Sequence, residues 1–331
     1  MNTKIVYVLV SNENDIYLEQ AYVSMHSLRH YMPDAHIALL TDRMTVDTFV
    51  GIRKEEVRYV DEMIIVDLDS SLSAQKRSRQ LKTSVRNRVK GDFLFIDCDT
   101  IITKPLYEIE SIESHIAACR DTHAEFINNP YRDMCLDHGR LLEWPIEEEK
   151  DYFNSGVIYV KDVSETHEFY RRWNENLNMG YSKNVIMDQP SFAKTNYEMG
   201  HIVKHLPDIW NCELKHGIRY LKDAKIVHYL CTNPSKLQDK QFFLLNEIDV
   251  LMEVKRSGKV PDSIEQIISD PFKGIAEVTY CFAGEDIFFF RTVGYNYLRR
   301  HYKYDGKTSM IMLALRILNK IENSLKKYKV L

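Results

Sequence analysis

Two carboxylates stand directly after an apolar run in the first third of the chain. Residues 93–96 are wholly apolar, and Asp97-Cys98-Asp99 follows them at once. Such a run predicts a strand buried on both faces, as in the sheets of α/β proteins. Ligands of these sheets bind beyond the carboxyl ends of the strands. Carboxylates placed there need a cation or hydrogen bonds, so we predict either a Mg²⁺ or Mn²⁺ site or a capped turn.

Three later segments carry polar residues beside predicted strands. They are Asn154-Ser155-Gly156 before the apolar residues 157–160, Asp188-Gln189 after residues 185–187, and His228 near the end of residues 225–229. A lone histidine after a strand is usually a satisfied core or surface group. An imidazole nitrogen is also an acceptable Mn²⁺ ligand, so His228 completes a metal site if the sheet brings it to Asp97 and Asp99.

The order of these segments resembles the family-8 glycosyltransferases of the GT-A fold. That family has a nucleotide-binding first strand followed by Asp-x-Asp, Asn-[Ser/Ala]-Gly, Asp-Gln and a metal-binding histidine. All five landmarks occur here in that order, between residues 3 and 236. The resemblance implies a Rossmann-like mixed α/β sheet flanked by helices. It also implies a retaining enzyme that moves a hexose from a UDP-sugar to a glycan or lipid-linked acceptor, as bacterial relatives do when they build cell-surface glycans.

The resemblance further implies roles for individual residues. Asp97, Asp99 and His228 would bind Mn²⁺ or Mg²⁺, which assists departure of UDP. Asp188 would hold sugar hydroxyls and Gln189 would lie near the anomeric carbon. The implied donor-binding set consists of Ser11, Asn12, Tyr17, Arg79, Lys82, Asp97, Cys98, Asp99, Asn154, Ser155 and Lys236. Two routes to retention stay open, one with Asp188 as the nucleophile and one in which the acceptor attacks from the leaving-group side.

The chain departs from the family pattern at two places. Ile16 stands directly before Tyr17 in the turn that would hold the base, and either Asn12 or Asn14 would instead cap the following helix. After His228, Cys231 and Pro234 replace the expected glycine and lysine, which leaves Lys236 as a displaced substitute for the diphosphate-binding lysine.

The basic segment before the Asp pair has helical spacing. Arg79, Lys82 and Arg86 lie three and four residues apart and would share one helix face, which could neutralise a diphosphate. Most basic side chains on helices are simply solvated. Arg79 and Lys82 are the better candidates by position.

Composition narrows the class of protein. The net charge of -4 on 331 residues gives no general attraction to nucleic acid. Six cysteines without a C-x-x-C pair are typical of free thiols in a reducing cytosol. No uncharged apolar stretch reaches 18 residues, so we expect no transmembrane span and a cytoplasmic location.

Strands and helices alternate in the first hundred residues, which predicts βαβ units. The predicted strands cover residues 4–10, 36–40, 62–66, 93–96, 116–119 and 153–160, and the predicted helices cover 17–31 and 72–90. Residues 121–151 are expected to form a loop-rich insertion suited to acceptor binding. We predict a catalytic domain over residues 1–235 and a mostly helical region over 236–331.

The last 36 residues are strongly basic. Residues 296–331 contain nine Lys or Arg and two Asp or Glu, a net charge of +7. Residues 309–328 have the spacing of a basic amphipathic helix, which could lie on the inner face of an anionic membrane near a lipid-linked acceptor. Packing of the same face on its own domain, or on a second copy in a homo-oligomer, is at least as common.

Two other functions fit parts of the pattern. Asp97 and Asp99 could be the nucleophile and acid/base of a haloacid-dehalogenase-type phosphohydrolase, although Ile101 and the late position of the motif do not suit that class. A noncatalytic sugar-binding protein of the same fold would explain the altered residues after His228.

Overall fold

Two sheets organise the molecule. The computed structural model describes residues 1–229, 243–275, 292–295 and eight residues between 310 and 321. Its strands are β1 (Lys4–Leu9), β2 (Ile37–Asp42), β3 (Glu62–Val66), β4 (Phe93–Ile96), β5 (Thr100–Ile102), β6 (Ile116–Arg120), β7 (Phe153–Val160), β8 (Val203–His205), β9 (Cys212–Glu213) and β10 (Ile226–His228). Its helices are α1 (Tyr17–Tyr31), α2 (Arg43–Val46), α3 (Ile52–Glu55), α4 (Ala74–Lys82), α5 (Arg132–Leu141), α6 (Ser164–Ser182), α7 (Asp188–Glu198), α8 (Ile248–Ser257) and α9 (Asp262–Ser269).

The large sheet has seven strands in the order β3-β2-β1-β4-β7-β6-β8. Strands β1 to β4 run parallel to their neighbours among themselves, as the βαβ pattern predicts. Strand β7 is antiparallel to both β4 and β6. The start of β7 therefore lies at the carboxyl end of β4, which is how two distant sequence motifs come to share one edge. The expected mixed α/β fold is confirmed.

A second sheet of three strands, β5-β10-β9, was not predicted from the sequence. Strand β5 follows Asp99 directly and pairs with β10 in antiparallel fashion, so that His228 lies opposite Thr100. Strand β9 pairs with β10 in parallel. Strand β10 lies in residues 225–229, which the sequence predicted as a short strand. Strands β5 and β9 have three and two residues, too short for a recognisable alternation of polar and apolar side chains.

Helix α1 has the predicted boundaries. Leu18, Ala21, Met25 and Leu28 recur at helical spacing and pack into the apolar cluster on one face of the large sheet. The helix ends at Tyr31, two residues before Pro33, because proline disfavours helical backbone in the residue before it.

Two predicted boundaries were wrong. The helix expected over residues 72–90 is the shorter α4, which ends at Lys82 because the hydroxyls of Thr83 and Ser84 bond the carbonyl oxygens of Arg79 and Leu81. The expected loop over residues 121–151 contains the ten-residue helix α5, and an apolar cluster that includes Phe126 and Trp144 anchors that insertion.

Helices α8 and α9 pack against α1 and β10. Leu251 of α8 and Ile264 of α9 belong to the same buried cluster as Val23 of α1 and Val227 of β10. The proposed division at residues 235 and 236 falls outside the described residues and stays a proposal. Within the described part of the chain, no helix combines the length and apolar character needed to cross a membrane.

Candidate active site

The Asp97-Cys98-Asp99 triplet lies where the two sheets meet. Asp97 donates its backbone N–H to the carbonyl oxygen of Gly156 on β7, at 2.8 Å. Tyr229, directly after β10, donates its backbone N–H to the carbonyl oxygen of Asp99, at 3.2 Å. The main chain of the triplet is thus tied to both sheets. The two acidic side chains therefore extend from a backbone that hydrogen bonds hold on both sides.

Asp97, Asp99 and His228 form a compact cluster of metal-ligating groups. One ligand atom from each lies within 4.8 Å of the others. His228 Nε2 is 3.1 Å from an Asp99 carboxylate oxygen, and the two side chains are 3% and 19% exposed. Two carboxylates and one imidazole are a donor set that suits Mn²⁺, and this cluster leaves one side open, since Asp97 is 31% exposed. The residues present therefore fit a divalent cation.

The charged groups of this cluster shift one another's pKa values. Burial raises the pKa of Asp97, and the neighbouring Asp99 carboxylate adds to that effect, while Lys82 opposes it. Burial would lower the pKa of His228, but the adjacent Asp99 carboxylate outweighs burial, so the pKa is raised. Asp97 and His228 therefore each bind a proton more tightly than the same side chains would in water. A divalent cation would relieve the repulsion between the two carboxylates.

Lys82, the last residue of α4, is the central cation of the site. Its Nζ lies 3.2 Å and 3.3 Å from the two Asp97 oxygens and 3.1 Å from Asp188 Oδ2. Burial would lower the pKa of Lys82, but the carboxylates of Asp188 and Asp97 reverse this, and the pKa is raised. Lys82 therefore stays charged and links the Asp-x-Asp motif to the Asp-Gln motif.

Asp188, at the start of α7, is held as an anion by a hydrogen bond from Ser155 and by the charges of Lys82 and Arg79. Ser155 Oγ donates to Asp188 Oδ2 at 2.9 Å, and Arg79 Nε lies 3.5 Å from Oδ1. Burial alone would raise the pKa of Asp188, but Lys82 and Arg79 together hold it well below the usual range for an aspartate. A carboxylate whose anionic form is stabilised this strongly is a poor nucleophile. Its Oδ1, which Arg79 faces at 3.5 Å without a hydrogen bond, can still accept one.

The formal charges of these residues favour a metal together with a diphosphate. Asp97, Asp99 and Asp188 contribute three negative charges, and Lys82 and Arg79 contribute two positive ones. With His228 neutral, the sum is -1. A divalent cation would change it to +1, and the site would then attract an anionic ligand at the carboxyl edge of the sheet.

Gly156 is required by the close approach of three side chains. A Cβ at this position would collide with His228 Cε1 and stand 2.9 Å from both Asp97 Oδ2 and Asn154 Oδ1. The glycine of the Asn-Ser-Gly motif therefore makes room for the imidazole ring. Asn154 itself is 6% exposed and bonds within the protein, to Gly156, Asp121 and Asn211.

The turn after β1 lies at the same edge of the sheet, because β1 and β4 are parallel neighbours. Ser11 Oγ donates to Asp15 at 2.6 Å and accepts from Arg53 at 3.0 Å, so this hydroxyl supports the turn. Asn12 and Tyr17 are exposed. Asp15, and neither asparagine, accepts a backbone N–H at the start of α1, from Tyr17 at 3.2 Å.

Several residues that were predicted to take part in the site lie in positions that suit this role less well or lie outside the described part of the chain. Cys98 turns its thiol away from the carboxylates, to the carbonyl oxygen of Val8 at 3.4 Å. Arg86 is 1% exposed and bonds Gly91 and Asp162, so it does not share the site with Lys82. Gln189 is half-buried beside Asp188. Lys236, Cys231 and Pro234 lie outside the described residues.

Two buried residues at the site were missed from the sequence. Asn211 is fully buried and bonds His228 Nδ1 at 3.0 Å. Asp121 is 8% exposed and accepts hydrogen bonds from Asn129 and Asn154. Asn211 follows no predicted strand, and its partners His228 and Asn154 lie 17 and 57 residues away along the chain, so local sequence pattern carries no signal for it. Asp121 directly follows the largely apolar β6, as Asp97 follows β4, and that signal was present in the sequence.

Comparison with known proteins identifies the class. The chain belongs to the nucleotide-diphospho-sugar transferase family, whose model matches residues 75–246, more than half of its 331 residues. It is therefore a glycosyltransferase that uses a nucleotide-sugar donor. No curated protein sequence matches the chain significantly.

Solved structures agree on the fold. The galactosyltransferase LgtC, in complex with donor and acceptor sugar analogues, is 14% identical with a TM-score of 0.51, covering 80% of this chain and 99% of LgtC. The glycosyltransferase GlyE of Streptococcus pneumoniae TIGR4 is 16% identical with a TM-score of 0.50, covering 85% of this chain and 67% of GlyE. The resemblance to GT-A glycosyltransferases is thereby confirmed. The two other functions considered, a phosphohydrolase and a noncatalytic sugar-binding protein, are not supported.

Proposed function

We propose that this glycosyltransferase moves a hexose from a UDP-hexose to a glycan or lipid-linked acceptor, with retention at the anomeric carbon. The observation that carries this proposal is the convergence of Asp97, Asp99 and His228 with Lys82 and Asp188 at one edge of the sheet. A single site thus offers ligands for a cation, positive charge for a diphosphate, and a fixed carboxylate for a sugar.

Asp97, Asp99 and His228 would hold Mn²⁺ or Mg²⁺. When bound, the cation neutralises negative charge on the diphosphate and stabilises the departing UDP. Lys82 lies 3.2 Å from Asp97 and is the protein's own cation on the same side. It can exchange part of its contact with Asp97 for a phosphate oxygen, because its ammonium group keeps its charge in this environment.

Asp188 orients the sugar in this proposal. Its carboxylate is fixed by Lys82 and Ser155 and stays ionised, so it can accept hydrogen bonds from sugar hydroxyls without changing its protonation state. The same donors weaken it as a nucleophile. We therefore favour the route in which the acceptor hydroxyl attacks from the side of the leaving group, with Gln189 beside the reacting carbon.

The uracil would bind at the turn after β1. Tyr17 is 38% exposed at the start of α1 and offers an aromatic face, and Asn12 offers an exposed amide. Ser11 supports this turn through Asp15 and Arg53. Its contribution to the base is therefore indirect.

The test is release of sugar from UDP-hexoses without an acceptor. UDP-glucose and UDP-galactose are incubated with the protein and Mn²⁺, and the first anomer released is read by proton NMR before mutarotation. We expect the α-anomer from an α-linked donor, and a loss of at least about 10²-fold in Asp188→Asn. A β-anomer as first product would contradict retention. No release from any UDP-hexose at high protein concentration would contradict the proposed donor.

We also propose a cytoplasmic location with peripheral membrane contact through residues 309–328. Among the described cysteines, Cys98, Cys119, Cys135 and Cys212 are free thiols. Leu313, Ile317 and Ile321 have helical spacing and are 50 to 54% exposed, beside the net charge of +7 in residues 296–331. Deletion of residues 309–331 should abolish sedimentation with anionic vesicles while sugar release persists. Unchanged sedimentation would refute the membrane contact.

A further inference from the structure

The imidazole of His228 has two distinct nitrogens, and only one faces the acidic residues. Nε2 points to Asp99, and Nδ1 points to the fully buried side chain of Asn211, at 3.0 Å. A neutral imidazole binds a metal through the nitrogen that carries no proton. Which nitrogen that is depends on whether Asn211 presents its oxygen or its amide nitrogen to the ring.

Hydrogen bonds connect Gly156, Asn154, Asn211 and His228 in series. The backbone N–H of Gly156 fixes the direction of each of them. This N–H can only donate, and at 2.8 Å it meets the side chain of Asn154, so the Asn154 atom there must be the oxygen. The same oxygen lies 3.0 Å from Asn211, which must therefore present its Nδ2 group to Asn154. The other end of that amide, its oxygen, faces His228 Nδ1.

The contacts of Asn154 with Asp121 require the same orientation of the Asn154 amide. Asn154 Nδ2 faces Asp121 Oδ1 at 3.4 Å, and Asn129 Nδ2 donates to Asp121 Oδ2 at 2.8 Å. Both carboxylate oxygens are thus occupied by amide donors. If Asn154 were turned round, its oxygen would face the Asp121 carboxylate and its NH₂ group would face the Gly156 N–H, and both contacts would be repulsive.

We propose that Asn211, fixed by Asn154 and the Gly156 N–H, is a positioning residue that keeps the proton of neutral His228 on Nδ1 and leaves Nε2 free to bind the metal. This inference rests on the metal site of the proposed function. It gives the Asn-Ser-Gly motif a task that differs from contact with the sugar, because both ends of the Asn154 amide are already bonded inside the protein. Partners of this kind typically change metal affinity by about 10- to 100-fold.

The first test reads the tautomer directly and needs no metal. Asp99→Ala is used as the background, because it removes the carboxylate that would otherwise accept a proton from Nε2. This protein is labelled with ¹⁵N-histidine and studied by long-range ¹H–¹⁵N NMR at a pH where the ring is neutral, and His228→Gln assigns the signal. We expect the Nδ1–H tautomer in Asp99→Ala and a mixture of tautomers in Asp99→Ala/Asn211→Ala. The Nε2–H tautomer in Asp99→Ala would overturn the proposal.

The second test measures the dissociation constant of Mn²⁺ by EPR with saturating UDP. Asn211→Ala should bind Mn²⁺ about 10- to 100-fold more weakly. Asn211→Asp keeps an acceptor for Nδ1 but places a second oxygen against Asn154 Oδ1, so its affinity should lie between those of the wild type and Asn211→Ala. The matched control is Asn176→Ala, which removes a 6%-exposed asparagine that bonds Thr195 and Glu198 away from the site. It should leave Mn²⁺ binding unchanged.

The outcomes separate this inference from the proposed function. If wild-type protein fails to bind Mn²⁺ with UDP, the proposed function fails, and the tautomer experiment still decides the role of Asn211. Wild-type affinity in Asn211→Ala would refute the positioning role. If that variant does not fold, the tautomer in Asp99→Ala and the Mn²⁺ affinity of Asn211→Asp remain to decide the question.

Discussion

Gly156 links the backbone of β7 to the geometry of the metal ligands. The ring of His228 and the carboxylate of Asp97 both lie where a side chain on residue 156 would have to stand. Packed interiors tolerate little added volume, so even one methyl group must displace one of these ligands. The absence of a side chain at residue 156 therefore bears directly on metal binding by His228 and Asp97.

Substitution of Gly156 by alanine tests that consequence. In Gly156→Ala we expect Mn²⁺-dependent UDP binding to weaken by about 10-fold or more, because the methyl group pushes His228 away from Asp99. Calorimetry measures the binding, and urea unfolding measures the stability of the same protein. The control is Gly139→Ala on α5, where a Cβ collides with Ile146 and with no polar group of the site. It should lose stability and keep its affinity, and equal losses of affinity in both variants would contradict the account.

At the residue scale, some members of the site can be predicted from the sequence and others cannot. Asp97 and Asp99 are predictable because an apolar strand ends abruptly in acidic residues, and the cost of burying unpaired charge demands a partner. Asn211 is not predictable, since its importance depends on contacts with Asn154, 57 residues before it, and with His228. Only the register of β9 and β10 brings these groups together.

At the scale of elements, α1, α3 and α8 enclose an unusual set of buried charges. Glu19 of α1 and Glu56 at the end of α3 are both 0% exposed, and none of their four carboxylate oxygens has a hydrogen-bond partner among the described residues. Lys255 of α8 lies 3.5 Å from Glu19, and Arg53 lies 3.7 Å from it. Burial, followed by repulsion from Glu19, raises the pKa of Glu56 to about 8.

This interface should make stability depend on pH. The folded protein keeps a proton on Glu56 between about 4.5, its ordinary pKa, and about 8, whereas the unfolded chain releases it. The folded state binds more protons in that window, so the free energy of unfolding should fall as the pH rises from 5 to 8. The pKa of Glu19 is raised as well, mainly by burial, and acts in the same direction.

Urea unfolding at several pH values measures this slope. Glu56→Gln should flatten it between pH 5 and pH 8, while the control Glu253→Gln, an exposed residue of α8, should leave it unchanged. A wild-type protein that becomes more stable over this range, or a Glu56→Gln variant with the wild-type slope, would refute the assignment.

Element boundaries follow the strength of the local signals. Strand β4 and helix α1 match their predicted bounds, since a continuous apolar run and a regular helical stripe are strong patterns. Helix α4 ends eight residues earlier than predicted, because the hydroxyls of Thr83 and Ser84 compete for its last carbonyl oxygens. Helix α5 is stabilised by tertiary packing around Phe126, which periodicity does not reveal.

At the scale of the whole molecule, the topology explains why five short motifs form one site. Parallel strands β1 and β4 end at the same edge, antiparallel β7 begins there, and β10 returns beside β5 directly after Asp99. The base, the diphosphate, the cation and the sugar would each meet a different element along that edge. Specificity for a particular donor sugar and acceptor then depends on the shapes of the surrounding loops.

The central claim is that binding of the nucleotide depends on a metal held by Asp97, Asp99 and His228. The most direct measurement is calorimetric binding of UDP with and without Mn²⁺ to the wild type, to Asp99→Asn and to the control Asp223→Asn, a surface residue whose side chain is 71% exposed. We expect tight binding only with Mn²⁺, lost in Asp99→Asn and kept in the control. UDP binding of equal strength with and without Mn²⁺, or unchanged binding in Asp99→Asn, would contradict it.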